Sequence, residues 1–184
     1  MENTKFFLTA REREEFQPLY RKAQNILGSP GLRPDLGVSL ITDNFDELGY
    51  QPGTRAQFGG EGLVGTFADY RKFCEMLLAR GKFGELTIIS EKSFQLMTGV
   101  VTPHHLSNGY DSGFGYALSL FSLQEPLLDG TGAPKGIFGW SGYHNTHFWI
   151  DPTNQMYVLW MSRAREFSFE IPAGLRKVVY GPAE

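Results

Sequence analysis

Apolar positions recur at helical spacing along Phe67, Tyr70, Phe73, Cys74, Leu77 and Leu78, which predicts a helix from Thr66 to Arg80 with one buried face. Thr66 stands at its cap, Asp69 at the capping-box position, and Gly81 ends it. Farther on the pattern changes. Thr146 to Ile150 and Gln155 to Met161 are rich in aromatic and β-branched residues, and Asp151-Pro152-Thr153-Asn154 between them has Pro where a type I turn accepts it, so a hairpin is expected. Gly113 to Phe121 alternates as a single strand, with Tyr116, Leu118 and Leu120 on one face and Ala117, Ser119 and Phe121 on the other.

The remaining stretches read more simply. Thr9 caps a charged helix that ends near Tyr20, and Ser90 starts a second helix through about Met97, with Phe94 and Met97 inward. Gly28 to Gly62 reads as a long irregular excursion in which Val38-Ser39-Leu40-Ile41 makes one strand or none. Pro172 begins a closing helix whose Leu175, Val178 and Val179 form a short apolar face. The sum is an α+β chain: one domain over 1–184, mainly helical and irregular over 1–110, with antiparallel strands and the closing helix over 111–184.

Composition narrows the function classes. With 41% hydrophobic and 14% aromatic residues, the 184-residue chain has ample material for one core. A net charge of -3 with interspersed signs gives no basic stripe, which argues against a nucleic-acid partner. No apolar run approaches the roughly 20 residues of a membrane span and no charged-then-apolar leader opens the chain, so a cytoplasmic protein is expected from the sequence as given. The one cysteine, Cys74, excludes an internal disulfide. It falls on the apolar helical face and reads as a small buried hydrophobe rather than a nucleophile.

Candidate chemistry gathers before the hairpin. Gly139-Trp140-Ser141-Gly142 is a glycine-punctuated strand on which a ligand backbone would lie close, since glycine has no side chain to hold it away. This stretch, with Asn145-Thr146-His147-Phe148-Trp149-Ile150-Asp151-Pro152, resembles the third motif region of the serine β-lactamase-like superfamily, which includes class C β-lactamases, D-alanyl-D-alanine carboxypeptidases and related esterases. Many members carry a Trp-Gly-Gly or His-Thr-Gly triplet before a Gly-Thr-x-Phe-Trp-Ile-Asp-Pro strand. Here the triplet is Trp140-Ser141-Gly142, and Asn145, tolerant of left-handed backbone, stands in place of the later glycine. Gly59-Gly60-Glu61-Gly62 through Tyr70 resembles the family's glycine-rich turn into a helix, and Leu175 to Gly181 its closing segment.

The resemblance implies a partial β-lactamase/transpeptidase-like fold and covers only the family's C-terminal half. These enzymes acylate a serine in Ser-x-x-Lys, whose lysine helps activate the hydroxyl. No Ser-x-x-Lys occurs in the 184 residues, and Tyr-x-Asn matches only at Tyr143-His144-Asn145, inside the third region rather than upstream. Met1 to Phe7 resembles the segment after the family's second motif, so the chain is expected to begin in mid-fold. The expected function is therefore the C-terminal portion of a serine hydrolase acting on esters or amides, inactive alone and completed by an N-terminal chain. By resemblance, Trp140, Ser141, Gly142 and His144 line an edge strand at the substrate, with the Tyr143 amide as a backbone oxyanion donor. The triplet lacks the lysine of Lys-Thr-Gly and is closer to the esterase-like members. The alternatives are a non-catalytic module that binds a protein or a second copy through an uncovered sheet edge, and a degenerate fragment.

Blander readings accompany each residue. Ser141 has its preceding glycine one position early for Gly-x-Ser-x-Gly and is followed by a strand, so it is no nucleophile elbow. His144 and His147 are three apart, on opposite strand faces, and His104 with His105 stand elsewhere; no metal and no cofactor is expected. Phe148, Trp149, Tyr157 and Trp160 read as sheet packing, and Glu61 as an exposed turn carboxylate.

Overall fold

The computed structural model describes residues 1–17, 20–22, 39–41, 53, 62–102, 112–164 and 167–182. They fall into two compact units. One comprises Met1–Tyr70, Tyr143–Asn145 and Ser162–Phe167; the other comprises Arg71–Gly142, Thr146–Met161 and Ser168–Glu184.

In the first unit, α1 (Ala10–Glu15) opens with a full capping box: Glu12 N–H donates to Thr9 Oγ1 at 3.3 Å, and Thr9 N–H to the Glu12 carboxylate at 2.8 Å. Lys5 Nζ donates to that carboxylate at 2.5 Å, and this bond, with those from the Thr9 backbone and hydroxyl, holds its pKa down to about 2. The helix stops at Glu15, not near Tyr20. Phe16 is already extended at ψ 135, and Pro18 disfavours helical backbone at Gln17. Tyr20–Lys22 (β1) instead pairs antiparallel with Ser39–Ile41 (β2), so the second of those segments does make a strand.

The start of α2 (Phe67–Leu78) also differs in detail from its sequence signature. Thr66 Oγ1 accepts from Asp69 N–H at 3.2 Å as a cap should. The Asp69 carboxylate, however, accepts from Asn3 N–H at 2.8 Å and Thr4 Oγ1 at 3.1 Å, tying the chain's first residues to the helix. Phe67 is 54% exposed, whereas Met76, off the expected stripe, is buried.

In the second unit, α2 buries Cys74, Met76 and Leu77, and burial pushes the Cys74 thiol up to about 12, far from a thiolate. Gly81 follows at φ +95, where a Cβ would meet the Ile89 carbonyl oxygen; the short hairpin β3 (Lys82–Phe83) and β4 (Leu86–Thr87) occupies the link to the next helix. α3 (Glu91–Thr98), capped by Ser90, buries Phe94 against Phe138. The stretch expected as one strand is two. β5 (Phe114–Tyr116) and β6 (Phe121–Leu123) form a hairpin whose turn has Ser119 at φ 63 and Ala117 N–H donating to Leu120 O at 2.8 Å. A one-turn helix α4 (Pro126–Asp129), Pro at its first position, follows where none was expected.

β7 (Phe138–Gly142), β8 (Thr146–Asp151) and β9 (Met156–Trp160) complete an antiparallel sheet of order β5-β6-β7-β8-β9. The 146–161 hairpin stands as expected, with Asp151 paired to Met156 across its turn and Asn154 N–H capped by the Asp151 carboxylate at 3.0 Å. The core is Phe114, Leu123, Ala133, Ile137 and Trp149, with Phe121, Val158, Leu175 and Tyr180 packed against it. The last two come from α5 (Glu170–Tyr180), which begins two residues before Pro172. Its apolar face is also corrected: Val178 is 84% exposed and Val179 is exposed, while Pro172 and Arg176 are buried. These helices and antiparallel strands give the expected α+β class.

Candidate functional site

β7 and β8 pair from Phe138↔Ile150 to Gly142↔Thr146, leaving Tyr143, His144 and Asn145 as the turn. Asn145 takes φ 61, which an asparagine tolerates better than most residues. It is buried, with Nδ2 donating to Ala164 O at 3.2 Å, while Ser162 Oγ donates to the His144 and Asn145 carbonyls at 3.0 and 2.7 Å. A polar scaffold therefore fixes the turn backbone within its unit. Tyr143 is exposed, its ring 5.3 Å from that of His144.

The triplet itself divides by strand alternation. Trp140 is 42% exposed, its ring stacked on Phe121 at 5.9 Å and edge-on to Tyr116 at 6.1 Å. Ser141 is opposite His147, and Ser141 Oγ lies 2.8 Å from His147 Nδ1. In sheet order β7 is third of five, so it is not an edge strand as expected. Yet the β6 ladder pairs only Phe138 and Gly139, and no other described strand pairs along that side of Trp140, Ser141 and Gly142. This end is locally open. The flanking glycines have a structural cause: a Cβ at Gly139 would meet the Phe148 carbonyl oxygen, and one at Gly142 would meet Thr146 Oγ1. They let β8 approach closely, a requirement that needs no ligand.

His147 is the residue that sequence reasoning passed over. Turn arithmetic would have found it, since a three-residue turn after Gly142 sets Ser141 across from His147. The ring is 2% exposed, and burial, with a contribution from the Arg176 charge, lowers its pKa to about 4. It is neutral at pH 7. The unfolded chain takes up this proton near 6.5 and the folded chain near 4, so stability is present above 6.5 and falls as pH drops from 6.5 towards 4. In urea titrations across that window, His147→Gln is expected to flatten this part of the pH dependence; an unchanged slope would show that His147 does not set it.

Glu61, His104 and His105 lie outside the described residues, and no group of His, Cys, Asp and Glu among the described residues could hold a metal. No helix among them is long and apolar enough to cross a membrane.

The fold and motif geometry agree with a match to the family model described as Beta-lactamase, which covers residues 1–178. The chain belongs to the beta-lactamase family. Among solved structures it is similar to EstCE1, a hydrolase with promiscuous acyltransferase activity, with TM-score 0.72 and 20% identity over 97% of this chain and 46% of that one. It is also similar to the simvastatin synthase LovD from Aspergillus terreus, LovD6 mutant, with TM-score 0.72 and 15% identity over 97% of this chain and 45% of that one. These likenesses establish the β-lactamase-like fold. Protein Rv1367c of Mycobacterium tuberculosis strain H37Rv is 30% identical over 112 residues, 55% of this chain and 28% of that protein. The chain thus spans under half the length of these two structures, and its matched segment covers 28% of the mycobacterial relative.

Proposed function

We propose that this chain forms the third-motif wall of a serine hydrolase that acts on esters or amides through an acyl-serine. The observation that carries the reading is the locally open end of β7, Trp140-Ser141-Gly142, in a chain of this family. A substrate carbonyl lying along it would find the Tyr143 N–H as one oxyanion donor, an interaction of about 3 to 4 kcal/mol when preorganised. The acylated serine and its activating lysine would come from a Ser-x-x-Lys segment, which the 184 residues do not contain. Attack by that serine, collapse with loss of the alcohol or amine, and hydrolysis by water would complete the cycle. Trp140 stands where a Lys-Thr-Gly lysine would be, which favours neutral esters over carboxylate-bearing β-lactams. EstCE1, described as a hydrolase with promiscuous acyltransferase activity, is in keeping with acyl transfer to water.

A second reading draws on the same open end. With Trp140 exposed beside it, the strand suits a non-catalytic module that takes up an extended peptide. Turnover of a chromogenic short-chain ester separates the two. The hydrolase reading expects none from the chain alone and turnover when a segment carrying Ser-x-x-Lys and Tyr-x-Asn is added; stable association of the two without turnover supports the module.

A further inference from the structure

Aromatic rings run from the core out to Trp140. Phe114 is buried, and Phe121 stands edge-on to it at 5.3 Å while packing against the core. Trp140 stacks on Phe121 at 5.9 Å with 26° between the ring planes, and Tyr116 meets it edge-on at 6.1 Å. Two rings therefore brace the indole. Trp140 nevertheless remains 42% exposed, more surface than its backbone alone offers, so part of the ring faces solvent. Leu118, in the turn between β5 and β6, is 54% exposed. No charged residue occurs from Phe114 to Leu123 or from Phe138 to Tyr143, so an ionic ligand finds no counter-charge in either segment.

We propose that Trp140, braced by Phe121 and Tyr116, is a specificity-determining residue: an aromatic platform for the apolar alkyl group of a neutral ester. The inference rests on the reading that β7 borders an acyl site, because Trp140 directly precedes the Ser141-Gly142 backbone along which the carbonyl would lie. An indole fixed before the ligand arrives loses little freedom on binding, so ordering does not cancel the apolar contact. A methylene taken fully out of water gains about fourfold in affinity. A platform open on one side is expected to realise about half of that free energy, which gives about fourfold for the two methylenes that separate acetamide from butanamide. A carboxylate of the same length would lose hydration there with no cation in return.

Primary carboxamides serve as probes, since they present a carbonyl like that of an ester and are far less reactive. Titrations of the 15N-labelled full chain at pH 7 would follow the indole N–H signals of Trp140 and Trp160, assigned with Trp140→Phe and Trp160→Phe. Trp160 on β9 is also 42% exposed, so it reports adventitious contact with any exposed indole. Butanamide is expected to move the Trp140 signal saturably, to bind about fourfold more tightly than acetamide and more tightly than butanoate, and to leave Trp160 in place. Trp140→Leu, which keeps an apolar side chain on the strand, should lose the chain-length gain, followed at the Gly142 amide. Equal shifts at both indoles, no gain from acetamide to butanamide, or a gain that persists in Trp140→Leu overturns the proposal. So does tighter binding of N-acetylglycine methylamide than of butanamide, which would assign the strand to a peptide held by its backbone. The titrations need no turnover: the platform can fail while the ester assay with the Ser-x-x-Lys segment succeeds, and that assay can fail while the platform binds.

Discussion

Arg176→Ala is expected to destabilise the second unit by about 3 to 5 kcal/mol, the range for removing one partner of a buried ion pair. The Arg176 and Asp129 side chains are 4% and 2% exposed, and the guanidinium grips the carboxylate through Nε at 3.0 and 3.1 Å and Nη2 at 2.5 Å. The same guanidinium lies 4.8 Å from the centre of the Phe114 ring, so it also packs on the core. Alanine would leave the Asp129 carboxylate buried with its charge uncompensated, with the hydrogen bond from Thr131 Oγ1 at 2.5 Å retained. Chemical denaturation of the variant checks this. The double change Arg176→Met with Asp129→Leu is expected to recover most of the loss, because removing both charges avoids the stranded one. A single variant within 1 kcal/mol of the parent would show that the pair is not buried in solution.

Trp149→Ala is expected to cost about 3 to 5 kcal/mol as well, through the cavity left by a core indole. Trp149 is buried in the core, and its Nε1–H donates to Tyr180 Oη at 2.8 Å, which in turn donates to the fully buried Asp151 carboxylate at 2.9 Å. Burial, chiefly, holds the Tyr180 hydroxyl above its ordinary range, so it remains a donor to Asp151. Trp149→Phe keeps most of the volume but removes the indole donor, and a smaller loss of about 1 to 3 kcal/mol is expected. The order Ala, then Phe, then parent in denaturant midpoints checks the assignment; equal losses for both variants would place the energy in the hydrogen bond rather than in packing.

What the sequence made legible was local. The 146–161 hairpin could be read because its strands are dense in β-branched and aromatic residues and its turn has Pro in an acceptable place. Thr9, Thr66 and Ser90 declared helix starts because side-chain caps act within three residues. What escaped depended on distant partners. Alternation from Gly113 to Phe121 looked like one strand because the left-handed turn falls on Ser119, a residue that does not announce it. Val178 and Val179 looked like the buried face of α5, yet the buried face contains Arg176, made tolerable by Asp129 forty-seven positions earlier. The triplet's place on a strand was legible, but Ser141 and His147 met only once the hairpin register was known.

On the proposed hydrolase reading, the serine that is acylated lies in a Ser-x-x-Lys segment and not among the serines of this chain. Labelling with a fluorophosphonate, followed by peptide mass mapping, locates the reactive serine. The chain alone is expected to remain unlabelled, and adding the Ser-x-x-Lys segment should produce labelling on that segment's serine. Labelling of the chain alone, mapped to Ser141 and lost in Ser141→Ala, would contradict the claim and make Ser141 with His147 the reactive pair.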